Sequence, residues 1–217
     1  MNVLAIDTAG PVAGVALWVD GVTSVRIERV TRGSDTRLMP WAQALAAEAG
    51  IPLSALDGVA VGAGPGAFTG LRVGLAAALG LATALDCPVV PVSTLLSRVT
   101  PWLHEGTTLC ALDARKGRLY AAVWRGQEQV LAPGDLAPEV VLAELVAPFR
   151  AVGEGVLAYR ELVEAAGGVV VDAADDPGVA SLAALGASAL EAGEGSDPVS
   201  VQPTYLRPPD AKPRSSR

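Results

Sequence analysis

The sequence predicts an α/β protein made of two units, each with the element order βββαβαβα. Short apolar runs suited to buried strands alternate with stretches whose apolar residues recur at helical spacing. This order begins again after residues 104–106. The first strand of each half also ends on an aspartate, in the phrases Ala5-Ile6-Asp7 and Ala111-Leu112-Asp113. Together these observations indicate an internal duplication.

The first half supplies five strands and three helices. The predicted strands are 3–6, 12–18, 22–30, 58–61 and 88–92, and Asp20-Gly21 is a hairpin signal between the second and third. A helix is predicted over 35–49, with Gly50 as its stop. A second helix is predicted from Thr69, whose hydroxyl is expected to cap it, to residue 85. A short third helix follows a cap at Ser93 or Thr94.

The second half repeats the pattern with weaker signals. Strands are predicted over 108–112, 118–124, 127–131, 149–152 and 169–171. Helices are predicted from Pro138, where proline suits a first helical position, over 156–166, and over 179–191. Residues 193–198 read as a linker because they are rich in glycine and polar residues.

A duplicated ribonuclease-H-like unit is the architecture of the actin, hexokinase and Hsp70 ATPases, so the predicted class is actin-like (ASKHA). We predict a first domain over 1–103 that includes dimerisation helices, and a second over 104–202. The last stretch, 203–217, is proline-rich and basic and is expected to be a flexible tail.

The amino-acid composition argues against several classes of function. The chain has 217 residues, 51% of them hydrophobic, and a net charge of −7, which argues against a broad basic surface for nucleic acid. No signal-peptide pattern precedes the first strand, so we expect a cytoplasmic protein that does not act at a membrane. Cys87 and Cys110 lie in apolar runs without a CxxC motif and are expected to be buried, reduced thiols.

The most distinctive stretch of the sequence runs from Gly62 to Leu85. A glycine-rich loop leads into a helix with no polar side chain between Val73 and Ala82, so the helix is apolar nearly all round. At about sixteen residues it is too short for a bilayer, which needs about twenty. It is therefore covered either by its own core or by a partner chain. The predicted partner interface consists of Leu38, Trp41, Leu45, Leu71, Leu75, Ala78, Leu79 and Ala82.

Phosphate binding is one hypothesis for the loop, because free N–H groups at a helix start attract anions. The candidate residues are Asp7, Thr8, Gly64, Gly66, Thr69, Gly70 and Asp113. No Gly-Lys-Ser/Thr sequence is present, so the lysine of a Walker loop is missing. A tight strand-to-helix turn that needs positive φ at its glycines explains the loop equally well. The two aspartates at strand ends keep an actin-like ATPase or a small-molecule kinase as an alternative function.

Metal-dependent and nucleophilic catalysis are not expected. His104 is the single histidine, so a two-histidine metal site cannot be built. A Gly-x-Ser-x-Gly turn that could present a nucleophile is missing from the sequence. We therefore expect no catalytic residues, no bound metal and no cofactor, and a peptidase function is the least favoured alternative.

The phrase GPGAFTGLRVG, residues 64–74, resembles the TsaB (YeaZ) family of bacterial proteins. The opening Ala5-Ile6-Asp7-Thr8, the hairpin around Leu112-Asp113-Ala114-Arg115 with Tyr120, and the terminal Pro203-Thr204-Tyr205-Leu206-Arg207 are also similar to that family. The resemblance covers most of the chain and is weakest between residues 126 and 200.

The resemblance implies a two-domain actin-like protein without catalysis of its own. Such proteins partner TsaD, which transfers a threonylcarbamoyl group to the tRNA adenosine beside the anticodon, and TsaE joins the two in a ternary complex. It implies a homodimer in the absence of TsaD, formed through the helices at about 35–49 and 69–85. Transfer RNA is expected to be met only through the complex.

Overall fold

The structure is a computed structural model that describes residues 1–29, 35–104, 106–171 and 174–208. The predicted strand end at residue 30, the caps at 33 and 34, and the tail 209–217 lie outside the described residues. The predicted element order of the first unit is confirmed. Its elements are β1 (Asn2–Asp7), β2 (Val12–Val19), β3 (Val22–Arg29), α1 (Asp35–Glu48), β4 (Gly58–Gly64), α2 (Phe68–Leu85), β5 (Val89–Ser93) and α3 (Thr94–Val99).

The second unit follows the same order with one difference. The predicted helix over 156–166 is two short helices, which meet at Tyr159, where the backbone leaves the helical region. The elements are β6 (Thr107–Arg115), β7 (Arg118–Arg125), β8 (Glu128–Leu136), α4 (Pro138–Ala143), β9 (Phe149–Val152), α5 (Glu154–Ala158), α6 (Arg160–Ala165), β10 (Gly168–Val170) and α7 (Val179–Glu191).

Each unit is built on a five-stranded mixed sheet. The strand orders are β3-β2-β1-β4-β5 and, read from the equivalent edge, β8-β7-β6-β9-β10, which match position by position. In each, the first strand pairs antiparallel with the second and parallel with the fourth, as β1 does with β2 and β4. The two sheets confirm the duplicated α/β architecture and the actin-like class.

Side-chain alternation along β1 assigns the two faces of the first sheet. Leu4 and Ile6 point to the layer formed by α1 and α2, whereas Val3 and Ala5 point to the opposite layer. On that opposite side α7 packs through Val179, Leu182, Ala183 and Ala187. Both faces are therefore covered, which explains why every residue of β4 is buried.

The predicted division of the chain into 1–103 and 104–202 separates the two sheets but not their covering helices. The predicted second domain includes α7, whereas in the structure this helix packs on the first sheet. Conversely, Leu95 and Val99 of α3 pack against Cys110, Leu112 and Trp124 of the second sheet. Each sheet thus takes one covering helix from the other half of the chain.

Helix α2 has 18 residues because it begins one residue before the predicted start, and its mean hydropathy is 1.5, so length and composition alone would let it cross a membrane. One side of it is buried at Leu71, Leu75, Ala78 and Ala82, and the last three of these residues pack in the core on the first sheet. Its apolar character on that side is therefore explained by the core of this chain.

Candidate protein-interaction face

The glycine loop before α2 lies against the turn that follows β1. Of its three candidate glycines only Gly64 has positive φ, at 114°. A Cβ on Gly66 would lie 2.7 Å from the carbonyl oxygen of Ala9, and one on Gly70 would lie 2.1 Å from that of Thr8. The expected positive φ at Gly66 and Gly70 is therefore wrong, and close backbone contact is the reason that glycine is needed there.

The start of α2 is joined to the same turn by hydrogen bonds. Ala67 N–H donates to the Ala9 carbonyl at 2.7 Å, and the Thr8 hydroxyl donates to the Gly70 carbonyl at 2.6 Å. Ala67 occupies the N-cap position and its side chain makes no capping bond. The expectation that Thr69 caps the helix is wrong, since Thr69 is an exposed residue inside the first turn. These contacts favour the tight-turn interpretation of the loop.

Asp7 forms a buried ion pair inside the protein. Arg98 of α3 contacts both carboxylate oxygens of Asp7 at 3.3 Å, and neither side chain is more than 2% exposed. Glu154 of α5 lies 4.0 Å from Arg98 Nε, which has no hydrogen-bond partner among the described residues. An arginine therefore stands beside the carboxylate that the ATPase alternative requires.

Burial and neighbouring charges shift the pKa values of Arg98 and Glu154 in this buried group. Burial opposes the charge of Arg98, but Asp7 and Glu154 outweigh it, so the pKa of Arg98 is raised. Burial raises the pKa of Glu154, and Arg98 only partly offsets that effect. Burial also raises the pKa of the nearby Cys110 thiol to about 12, so this cysteine stays protonated and unreactive at neutral pH.

The second candidate aspartate, Asp113, lies at the end of β6 and is half-buried. Its carboxylate accepts from the backbone N–H of Arg115 at 2.8 Å and pairs with the Arg115 side chain at 3.1 Å. Asp7 and Asp113 both act on the pKa of Glu154, so the structure brings the two strand ends to one region between the units. Among the described residues, no three His, Cys, Asp or Glu side chains form a group that could hold a metal ion.

Six of the eight predicted interface residues face inward. All six are at most 5% exposed, and all but Leu71 pack in the core between the first sheet and its two helices. They cannot contact a partner, because they are already buried within their own chain. These residues are Leu38, Leu45, Leu71, Leu75, Ala78 and Ala82. Trp41 and Leu79 are half-buried at the edge of the same core.

The outward side of α2 carries the candidate interaction face, which we define as the exposed or half-buried residues of this helix. Its members are Phe68, Thr69, Gly70, Arg72, Val73, Ala76, Ala77, Leu79, Gly80, Leu81, Thr83, Ala84 and Leu85. An open hollow of about 470 Å³ lies along its first three turns, from Phe68 to Ala77. Small side chains line this face, and a Cβ at Gly80 would meet nothing within 4 Å. Another helix could therefore approach closely.

The single charged residue of α2, Arg72, is held in place at the N-terminal end of this face. Its guanidinium lies 3.8 Å from the centre of the Phe68 ring, and its Nε donates to the Tyr205 hydroxyl at 3.1 Å. The rings of Phe68 and Tyr205 are 5.2 Å apart. Sequence reasoning did not find this cluster because Tyr205 is 133 residues from Arg72 along the chain.

Tyr205 belongs to a C-terminal segment that contacts both units. Thr204 N–H donates to the Ala63 carbonyl at 2.7 Å, and Arg207 binds Asp135 through Nε at 2.7 Å and through a second nitrogen at 3.0 Å. The hydrogen bond from Arg207 lowers the pKa of Asp135. The expectation of a flexible tail from residue 203 did not anticipate these contacts over 204–207.

Comparison with known proteins gives the family. Over residues 25–212 the chain matches the family model described as TsaD: tRNA N6-adenosine threonylcarbamoyltransferase. It is 36% identical over 186 residues to the tRNA threonylcarbamoyladenosine biosynthesis protein TsaB of Escherichia coli (strain K12), across 79% of each chain. The chain belongs to the TsaB/YeaZ family.

Further members of the TsaB/YeaZ family agree over nearly the whole length. The TsaB protein of Bacillus subtilis (strain 168) is 28% identical over 98% of this chain and 96% of its own. The solved structure of YeaZ from Pseudomonas aeruginosa superposes with a TM-score of 0.80 at 33% identity, covering 94% of this chain and 99% of that one. These matches confirm the family that the motif at residues 64–74 indicates.

Proposed function

We propose that this protein is a non-catalytic scaffold subunit in the biosynthesis of N6-threonylcarbamoyladenosine in tRNA, and that it binds TsaD through the interaction face of α2. The names of its relatives place them in this pathway. The observation that carries the proposal is the outward side of α2, where small apolar residues surround one fixed cation, Arg72. Such a face resembles an interface more than an ordinary helix surface, which is polar.

The family comparison supports TsaD as the partner. Because this chain matches the TsaD model over residues 25–212, a TsaD protein is expected to have an equivalent helix pair. Two related helix pairs can form a four-helix arrangement, with Gly80 and Ala76 allowing close approach. In the absence of TsaD a second copy of this chain would occupy the face as a homodimer. We propose that TsaE joins the complex and that tRNA is bound through TsaD.

The buried ion pair supports a role without catalysis. Nucleotide-binding relatives need a free carboxylate at the end of the first strand, whereas Asp7 is paired with Arg98 at 3.3 Å through both oxygens. The glycines after β4 are in backbone contact with Thr8 and Ala9. An actin-like ATPase or kinase would need both groups released. Titration with magnesium-ATP by calorimetry tests this alternative, and saturable binding by the isolated chain would favour it.

Charge insertion tests the proposed interface. Ala76→Glu places a carboxylate on the exposed side of α2, and Ala180→Glu makes the same change on the exposed side of α7 as a matched control. We expect Ala76→Glu to remain folded by circular dichroism and to weaken TsaD binding by at least about tenfold, since a desolvated unpaired charge is costly at an interface. Ala180→Glu should bind as the wild type does. Equal binding by both variants would show that TsaD docks elsewhere.

A further inference from the structure

Residues 204–207, which we call the C-terminal strap, are fixed to the first unit at one end. Thr204 N–H donates to the Ala63 carbonyl at 2.7 Å, at the end of β4. The Thr204 carbonyl lies so close to Gly64 that a Cβ there would be 2.5 Å away. The next residue, Tyr205, contacts Phe68 and Arg72 on the interaction face. The strap therefore reaches the face directly from the glycine loop.

The other end of the strap is fixed to the second unit. Arg207 forms a bidentate pair with Asp135 of β8 and donates to the Ala114 carbonyl of β6 at 2.9 Å. Asp135 is further held by Arg118 of β7, whose Nε lies 2.7 Å from its carboxylate. Bidentate arginine–carboxylate pairs are the strongest and most directional of ion pairs. Arg207 is thus anchored on all three antiparallel strands of the second sheet.

The strap is a short connection between its two anchored ends. Three residue steps separate Thr204 from Arg207, and an extended chain spans at most about 3.5 Å per residue, or about 10 Å in all. The two anchors can therefore separate only a short way before the contacts of Thr204, Tyr205 or Arg207 must change. The hydrogen bond from Arg72 to Tyr205 joins this short segment to the interaction face.

We propose that the C-terminal strap couples the placement of the second unit to the interaction face, with Tyr205 and Arg207 as positioning residues for the docking partner. The inference rests on the proposed function, because it takes the outward side of α2 as the docking site. By thermodynamic reciprocity, a partner that binds the ordered face stabilises the strap, and a loosened strap weakens the partner. Holding Arg72 in place before docking also removes part of the entropic cost of binding.

The decisive experiment compares two arginines that share one acceptor. Arg207→Gln removes the ion pair from the strap, and Arg118→Gln removes an ion pair with the same Asp135 from β7, outside the strap. We expect Arg207→Gln to weaken TsaD binding by about fivefold or more, the usual size of a coupling between sites, and Arg118→Gln to stay within about twofold of the wild type. Arg207→Lys, which keeps one charge, should recover part of the loss. Equal losses in the two glutamine variants would reduce the strap to a structural role and overturn the proposal.

A second readout needs no TsaD. In the isolated chain, Arg207→Gln should speed hydrogen exchange of the Arg72 Nε–H observed by NMR, and Arg118→Gln should not. Unchanged exchange in Arg207→Gln would overturn the coupling even where TsaD binding is lost. If wild-type protein does not bind TsaD but this exchange responds as expected, the proposed function fails and the coupling stands.

Discussion

Replacing Arg98 should destabilise this protein more than any exposed substitution, because it leaves a buried carboxylate without its ion-pair partner. Arg98→Met keeps a similar length and removes both 3.3 Å contacts to Asp7, which is fully buried. Asp7 then keeps one described hydrogen bond, from Ala9 N–H at 2.9 Å. Breaking one side of a buried ion pair costs about 3–5 kcal/mol, which is a large part of the stability of a typical domain.

The cost should fall when both partners are changed. In Arg98→Met/Asp7→Asn no charge of the pair remains, so its loss of stability should be smaller than the sum of the two single losses by about 1–3 kcal/mol. Urea unfolding at pH 7, followed by circular dichroism, gives the free energies of unfolding for a double-mutant cycle. Additive single losses would refute the reasoning, because they would mean that the pair contributes nothing as a pair.

Three further predictions concern single sites. Gly70→Ala should lower the thermal midpoint by several degrees because its Cβ would meet the Thr8 carbonyl at 2.1 Å, whereas Gly80→Ala, with nothing within 4 Å, should raise stability by about 0.5–1 kcal/mol. Asp135→Asn should destabilise the protein at pH 7. Because the folded pKa of Asp135 lies below its usual 3.8, the wild-type advantage should be present above that pH and vanish as the pH falls through the folded value. Glu154→Gln should instead stabilise the protein at pH 7. The pKa of Glu154 in the folded state is raised above 4.5, so the cost of its buried charge appears as the pH rises through the folded value and is absent below 4.5. Urea unfolding across pH 3–8 measures the free energy of unfolding of each variant and so checks both pH dependences.

Much of the fold could be predicted because its signals are local. The apolar run before Asp7 and the one before Asp113 are strands in the structure, and the unit order follows from their repetition. The exchange of covering helices could not be predicted in this way. Nothing local to α7 says which sheet it covers, since its buried residues would suit either one.

The interaction face was the hardest feature to predict. Periodicity assigns the inner side of a helix only where a polar side exists, and α2 has none between Val73 and Ala82. The predicted interface consists mainly of leucines, although large apolar side chains are also what a core requires. Two arginines offer a usable signal: Arg72 and Arg98 are each the single charged residue of a long stretch, and a charge that is buried there needs a specific partner.

The exchange of α3 and α7 between the sheets has a consequence for synthesis on the ribosome. All five strands of the first sheet have been made by residue 93, yet one face of that sheet stays bare until residues 179–191 emerge. At 5–20 residues per second this delay is roughly 5–20 seconds, during which Val3, Ala5 and Val92 remain open to water. The nascent chain therefore exposes an apolar, aggregation-prone surface for much of its translation. Its first half should depend on a chaperone that holds it until the last helix arrives.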